Sequence, residues 1–275
     1  MASVNTNAGA MVALQNLNKT NSQLQTVQNR INTGLAVSSA KDNGGIDAIA
    51  RNMRVEVGSL RAVNNSLDLA ISTVDVALAA GDAISDLLIE MKEKALAASD
   101  TSIDSASRTA LDEDFKALRD QITTIVENAE FNGTNLIDGS ATGGISALAN
   151  AKGTNTISVV DEDMSLSGGI ITFSAGTDIS TETLAAATVT SIDTALSNLN
   201  SALARLGTGS KSLEIHKTFV SKLSDSLEKG IGNLVDADLA KESARLQSLQ
   251  VKQQLGIQAL SIANSAPSTV LGFFR

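Results

Sequence analysis

Residues 46–98 read IDAIARNMRVEVGSLRAVNNSLDLAISTVDVALAAGDAISDLLIEMKEKALAA, and their apolar positions recur every seven residues. One row runs Ile46, Met53, Leu60, Leu67, Val74, Gly81, Leu88 and Ala95. A second, offset by three or four, runs Ile49, Val63, Ala70, Ala77, Ile84 and Met91. Heptads sustained this far predict a long helix whose narrow apolar seam packs on other long helices. A third row lies downstream at Ile192, Leu199, Leu206, Leu213, Val220, Leu227 and Leu234. A helix over 182–232 would span about 75 Å at about 1.5 Å per residue. Hydrophobic residues laid out as rods suit assembly better than the enclosure of a reaction.

Upstream, residues 1–31 carry a sparse stripe of Val4, Met11, Leu17, Leu24, Val27 and Ile31, with Asn, Gln, Thr and Ser on the other faces. Amide-rich faces suit a helix surrounded by several neighbours, where a charge would be costly to desolvate. Gly34, Gly44 and Gly45, with Ser38 and Ser39, mark residues 32–45 as a connector. Beyond Ala98 a break is expected at 99–105. A third helix follows on Leu111, Phe115, Leu118, Ile122, Ile125 and Ala129, with Asp104 or Ser105 as N-cap.

Asn132-Gly133 signals a turn, and composition then shifts to Gly, Ser, Thr and Asn as far as about residue 181. Within that stretch the β-branched runs Thr156–Val160 and Ile170–Phe173 predict a small hairpin region. Helical period resumes near Glu182 and lasts to about Asn264. After Leu234 the apolar row shifts phase to Leu239, Leu246 and Leu260, beside Val235, Leu249 and Ala263, which moves the buried stripe round the helix. A junction is therefore expected near Asn233–Asp238.

The expected fold is mainly α, a long antiparallel helical coiled coil or bundle with a small β-hairpin region in the middle of the chain. Residues 1–33 and 236–275 are expected to form a discontinuous helical domain, joined through the 34–45 connector to a bundle of residues 46–140 and 182–235. Residues 141–181 are expected to form a short variable β-rich surface region.

Composition narrows the function. The 275 residues carry a net charge of −9, no Cys, no Trp, no Tyr and one proline. The negative balance disfavours nucleic acid and acidic membranes as partners. Absent cysteine removes disulfides, thiolate nucleophiles and thiolate metal sites. Scarce aromatics argue against a small-molecule pocket. No apolar run approaches the roughly 20 residues needed to cross a bilayer, and no cleavable secretory signal is expected at the start of the chain.

Candidate chemistry is thin. Residues 207–212 superficially resemble a phosphate loop, but Arg205 and Ser210 stand where that motif needs glycine, and the stretch lies within a helical row. His216 is the single histidine, so no catalytic triad or multi-histidine metal site can form; it is expected as a packed or half-exposed helix residue. Asp161-Glu162-Asp163 is expected as a solvated turn. No enzyme, cofactor or metal is indicated.

The head carries Ser3-Val4-Asn5-Thr6-Asn7, the stretch Gln15 to Lys19, Arg30-Ile31-Asn32-Thr33-Gly34 and Ser39-Ala40-Lys41-Asp42. The tail carries Asp236-Ala237-Asp238, Gln253-Gln254, Ala263-Asn264, Pro267 and Val270 to Arg275, and Phe131-Asn132-Gly133 is a further mark. In these motifs the two ends resemble bacterial flagellins. The chain most resembles the short alphaproteobacterial members with a minimal outer domain. The resemblance implies an extracellular structural protomer that self-assembles into the flagellar filament for swimming. It implies export in an unfolded state by the flagellar type III apparatus, with the export gate, an export chaperone and the filament cap as partners beside many copies of itself and paralogous flagellins. A related alternative is a hook–filament junction (hook-associated) protein.

In such a protomer the terminal rows would pack between subunits in the filament core. They comprise Val4, Met11, Leu17, Leu24, Val27 and Ile31 at the head and Leu239, Leu246, Leu249, Leu260, Ala263, Leu271, Phe273 and Phe274 at the tail. The central seam would pack within one subunit, through Met53, Leu60, Leu67, Val74, Leu88, Leu118 and Ile122 against Leu199, Leu206, Leu213, Val220 and Leu227. Residues 86–98 align with the stretch that animal innate receptors recognise in many flagellins. Glu90 stands where those usually carry Arg, which implies weak recognition.

Overall fold

The structure, a computed structural model, describes residues 6–272, with side chains through Ser265. In chain order the elements are α1 (Ala8–Thr33), α2 (Ala40–Ala98), α3 (Ser105–Asn128), β1 (Glu130–Phe131), β2 (Thr134–Asn135), β3 (Ile145–Leu148), β4 (Thr156–Val159), α4 (Glu182–Val235) and α5 (Leu239–Gly272). The fold is mainly α, with two small antiparallel hairpins in mid-chain. Two compact units arise: Met1–Val55 with Asp225–Arg275, and Glu56–Ser224. α2 and α4 contribute residues to both.

The central unit is organised by the α2 heptads. Leu60, Val63, Leu67, Ala70, Val74, Ala77, Ile84, Leu88, Met91, Ala95 and Ala98 are all buried. Lys217 is paired with Asp68, and Lys92 lies 2.5 Å from Asp193. Moving along α2 from Asp68 to Lys92 thus moves the partner the same distance back along α4, which makes the two helices antiparallel. Gly81 occupies a seam position because Leu203 of α4 presses into it; a Cβ there would lie 2.5 Å from Leu203 Cδ2.

α3 folds back on α2 through Lys94–Asp114 at 2.7 Å, and Arg108 donates to the Ala98 and Asp100 carbonyls that end α2. Asp104 caps α3, its side chain accepting from Ser107 N–H at 2.7 Å. Asn132 (φ 51°) and Gly133 (φ 80°) both take the left-handed conformation that a two-residue hairpin loop requires between β1 and β2.

The segment after β2 differs from the expected solvated surface. β4 pairs with β3, not with Ile170–Phe173. Ile170, Ile171 and Phe173 form no strand; they are buried, as are Met164 and Ile179. β-branched apolar residues serve an irregular strap as well as a strand, because what they seek is burial. Glu162, expected in a solvated turn, is buried and receives both Nε and Nη2 of Arg205 at 2.6 Å. A forked guanidinium supplies two charge-assisted bonds in one plane, which keeps the buried carboxylate satisfied. Asp112 and Arg119 of α3 bind the strap's backbone, accepting from Ile179 N–H and donating to the Thr177 carbonyl. His216 is half-buried and donates from Nε2 to the Ala149 carbonyl at 2.7 Å. Residues 207–212 lie inside α4.

The seam changes phase near Val57. Ile49, assigned to the second heptad row, is 52% exposed, and Ala50 and Val57 are buried instead. From Val57 through Leu60 to Val63 the buried positions step by three twice. Such a step shifts the stripe round the helix, which is why the row of sevens misplaces Ile49.

In the terminal unit the stretch between α1 and α2 is held by few but specific bonds. Gly34 (φ 72°) ends α1 in the left-handed conformation that spares a Cβ clash. Ala36 N–H donates to the Val235 carbonyl and Ala237 N–H to the Gly34 carbonyl. One Asp42 oxygen accepts from the backbone N–H and hydroxyl of both Ser38 and Ser39, at 2.9–3.3 Å. These bonds, the Ser38 hydroxyl first, hold the Asp42 carboxyl below its ordinary value of 3.8. A carboxylate stabilised in this way supports the fold fully above 3.8, and its contribution fades as pH falls through the lower folded value. Acidification well below about pH 4, through that lowered value, is therefore expected to remove amide-exchange protection at Ser38 and Ser39. In Asp42→Ala that protection should be weak at every pH.

Candidate self-assembly surface

α1 and α5 run antiparallel, tied along their length by polar contacts. Asn7 caps α1, accepting from Ala10 N–H, and donates from Nδ2 to the Ala263 carbonyl at 2.6 Å. Gln253 donates to Asn21 at 2.8 Å, and Arg30 Nη1 lies 3.0 Å from Glu242 Oε1. Arg30 is in the last turn of α1 and Glu242 in the first turn of α5. Each charge thus meets the helix-dipole end that favours it. Glu242 is buried, and its Oε2, like Arg30 Nε, has no hydrogen-bond partner.

The apolar contact beneath these bonds is small. Leu24, Val27 and Leu249 are buried together, with Ile31 and Leu246 half-buried against them. Leu17 is half-buried, its Cδ1 3.3 Å from where a Cβ on Gly256 would stand; Leu260 and Ala263 are half-buried further along α5. Five of the residues expected to pack between subunits (Leu24, Val27, Ile31, Leu246 and Leu249) therefore meet inside a single chain. The reason is the α5 seam of Glu242, Leu246, Leu249, Gln253, Gly256, Leu260 and Ala263, which alternates four and three and faces α1. Val4, Phe273 and Phe274 lie outside the described residues, as does the side chain of Leu271.

This pairing leaves several large apolar side chains uncovered. Met11 (63% exposed), Val12 and Leu14 project from α1, and Leu239, Val251, Leu255, Ile257 and Ile262 (71%) from α5. Val251, Leu255 and Ile262 sit at i, i+4 and i+11, a second helical stripe turned away from the α1-facing seam. Sequence reading found Met11 and Leu239 but passed over the other six. The signal was present: α5 carries two apolar rows in different phases, and following only one hides the other. Among the central-seam residues, Leu60, Leu67, Val74, Leu88, Ile122, Leu199, Leu206, Leu213 and Val220 are buried, and Met53, Leu118 and Leu227 half-buried.

The family profile for the bacterial flagellin N-terminal helical region matches residues 4–142, and that for the bacterial flagellin C-terminal helical region matches residues 189–274. The chain belongs to the bacterial flagellin family. Flagellin FljK of Caulobacter vibrioides is 57% identical over 274 residues, covering 99% of this chain and 98% of that one. A flagellin of Brucella melitensis is 37% identical over 283 residues, with 100% of both chains covered. A solved structure described as a flagellar hook-associated protein of Vibrio parahaemolyticus matches 71% of this chain and 100% of its own, with TM-score 0.57. At 15% identity that likeness shows the fold alone, so the hook-associated alternative is not favoured.

This flagellin is thus a structural protomer of the extracellular flagellar filament, not an enzyme, and it polymerises with copies of itself and with paralogous flagellins. Among the described residues no helix is long and apolar enough to cross a membrane.

With so few buried side chains between α1 and α5, each matters. Leu249→Ala is expected to cost about 2–5 kcal/mol, seen as loss of amide protection in α1 and α5 with the central unit's protection unchanged. Equal loss in both units would contradict a separate α1–α5 core.

Proposed function

We propose that the uncovered stripes of α1 and α5 are the surfaces by which copies of this flagellin join at the filament core, while the central helices form the shell around it. In domain terms, residues 1–33 and 236–275 act in the core, 34–45 connect, 46–140 and 182–235 serve as the bundle, and 141–181 faces the filament exterior. The observation that carries this reading is the exposed row Val251, Leu255 and Ile262 on a helix whose opposite seam is already occupied. Eight large apolar side chains left in water on one helix pair are a marked liability for a lone molecule and suit one destined for association. The amide-rich faces of α1, whose only charges are Lys19 and Arg30, allow close approach without burying unpaired ions.

Of the residues first assigned to contacts between copies, Met11 and Leu239 keep that role, and Val4, Leu271, Phe273 and Phe274 are proposed to share it. Leu17, Leu24, Val27, Ile31, Leu246, Leu249, Leu260 and Ala263 support it from behind by holding α1 on α5. Leu255→Asp with Ile262→Asp is expected to abolish filament formation, seen by negative-stain microscopy, with helix content and central-unit melting little changed. Normal filaments from that variant would refute the assignment.

Export in an unfolded state fits a chain with no disulfide to undo and, among the described residues, a small buried apolar cluster of Leu24, Val27 and Leu249 between α1 and α5. We assign the flagellar type III export gate, an export chaperone and the distal cap as partners in that route. Glu90 is exposed on α2, on the stretch that innate receptors contact in other flagellins. In a cell-based receptor assay this flagellin is expected to be much less potent than one with arginine there; equal potency would contradict a repulsive contact.

A further inference from the structure

We propose that Met11 is an oxidation site that governs whether a subunit can enter the filament. This rests on the reading of the outer face of α1 as a surface covered by further copies. The chain holds no Cys, Trp or Tyr, so its readily oxidised side chains are five methionines and one histidine. Met91 and Met164 are fully buried. Met53 is half-buried with its methyl group against the Gly230 backbone, and His216 is half-buried with Nε2 engaged. Met1 lies outside the described residues; among those described Met11 stands apart at 63% exposure, beside Val12 and Leu14 on α1.

The chemistry is selective for the accessible thioether. A hydroperoxide, the co-reactant proposed here, transfers one oxygen to the Met11 sulfur. The peroxide O–O bond breaks and an S–O bond forms; the sulfur is oxidised by two electrons, and the reduced peroxide leaves as the alcohol, or as water where the oxidant is hydrogen peroxide. A flexible apolar side chain becomes a polar one carrying a strong acceptor. In the free subunit water satisfies that oxygen, so the fold is undisturbed. At a covered apolar surface it would be stranded without a donor. The effect therefore falls on assembly alone, and a subunit already in the filament keeps Met11 shielded.

The test treats full-length subunits with hydrogen peroxide, removes it, and measures the lowest concentration at which filaments form, with peptide mass spectrometry locating the added oxygen. Met11 is expected to gain oxygen before Met53, Met91 and Met164 in the free subunit and slowly in preformed filaments. The threshold concentration should rise roughly 10- to 100-fold and return after treatment with the two stereospecific methionine sulfoxide reductases. Met11→Leu, close in volume and inert to peroxide, should polymerise and keep its threshold after treatment. Met11→Gln should show the raised threshold without any peroxide.

An unchanged threshold in subunits fully oxidised at Met11 overturns the proposal, as does an equal rise in Met11→Leu, which retains every other methionine. In either case filament growth by the untreated chain leaves the assembly reading standing. Equal oxidation rates at Met11 in subunits and filaments, by contrast, would remove Met11 from the covered surface.

Discussion

Everything in this flagellin follows from how a narrow helical seam is shared out. A heptad gives each helix two apolar rows, enough to bury one side against one neighbour. In the central unit that suffices, because α2, α3 and α4 turn their rows inward and the 136–181 segment adds Leu136, Ile137, Met164, Ile171 and Ile179 to the same interior. In the terminal unit α1 and α5 use one seam on each other and have apolar residues left over. The leftover rows are what a polymer can use.

The two units are correspondingly fixed by different means. The central strap is bound by buried charged side chains whose bonds are made within the chain: Glu162 to Arg205, and Asp112 and Arg119 to the strap's backbone. Breaking one of these strands a buried polar group, so the arrangement is well specified. The terminal pair is tied by Asn7 to Ala263, Gln253 to Asn21 and Arg30 to Glu242, and in the last of these one atom of each partner remains unsatisfied. It has little else beneath it than Leu24, Val27 and Leu249. A weakly cored helix pair suits a segment that must pass through export unfolded and become firm only among neighbours.

Much of this was readable from residue order, for identifiable reasons. The end of α2 at Ala98, the Asp104 cap of α3, the Asn132-Gly133 turn and the start of α4 at Glu182 are local events with local signals. Ile170–Phe173 misled because apolar β-branched residues mark burial as readily as strand pairing. Glu162 misled because its partner, Arg205, is distant in sequence and no pattern joins them. Ile49 fell out of its row through a phase step that a strict seven-residue count cannot register. The second stripe of α5 is masked by one continuous row, Leu246 and Leu260 flanked by Leu249 and Ala263, which by itself accounts for a buried helix face. Sequence identified which residues are apolar; only the packing divided them between the chain itself and its neighbours.

The central claim, that the outer row of α5 is buried by other copies, meets its most direct test in a chain that lacks cysteine. A single Leu255→Cys substitution places one thiol on that row, and its rate of maleimide labelling can be compared in free subunits and in assembled filaments. The account predicts rapid labelling of the subunit and strong protection in the filament. Equal labelling in both states would show that this row stays in water after assembly and would contradict the account.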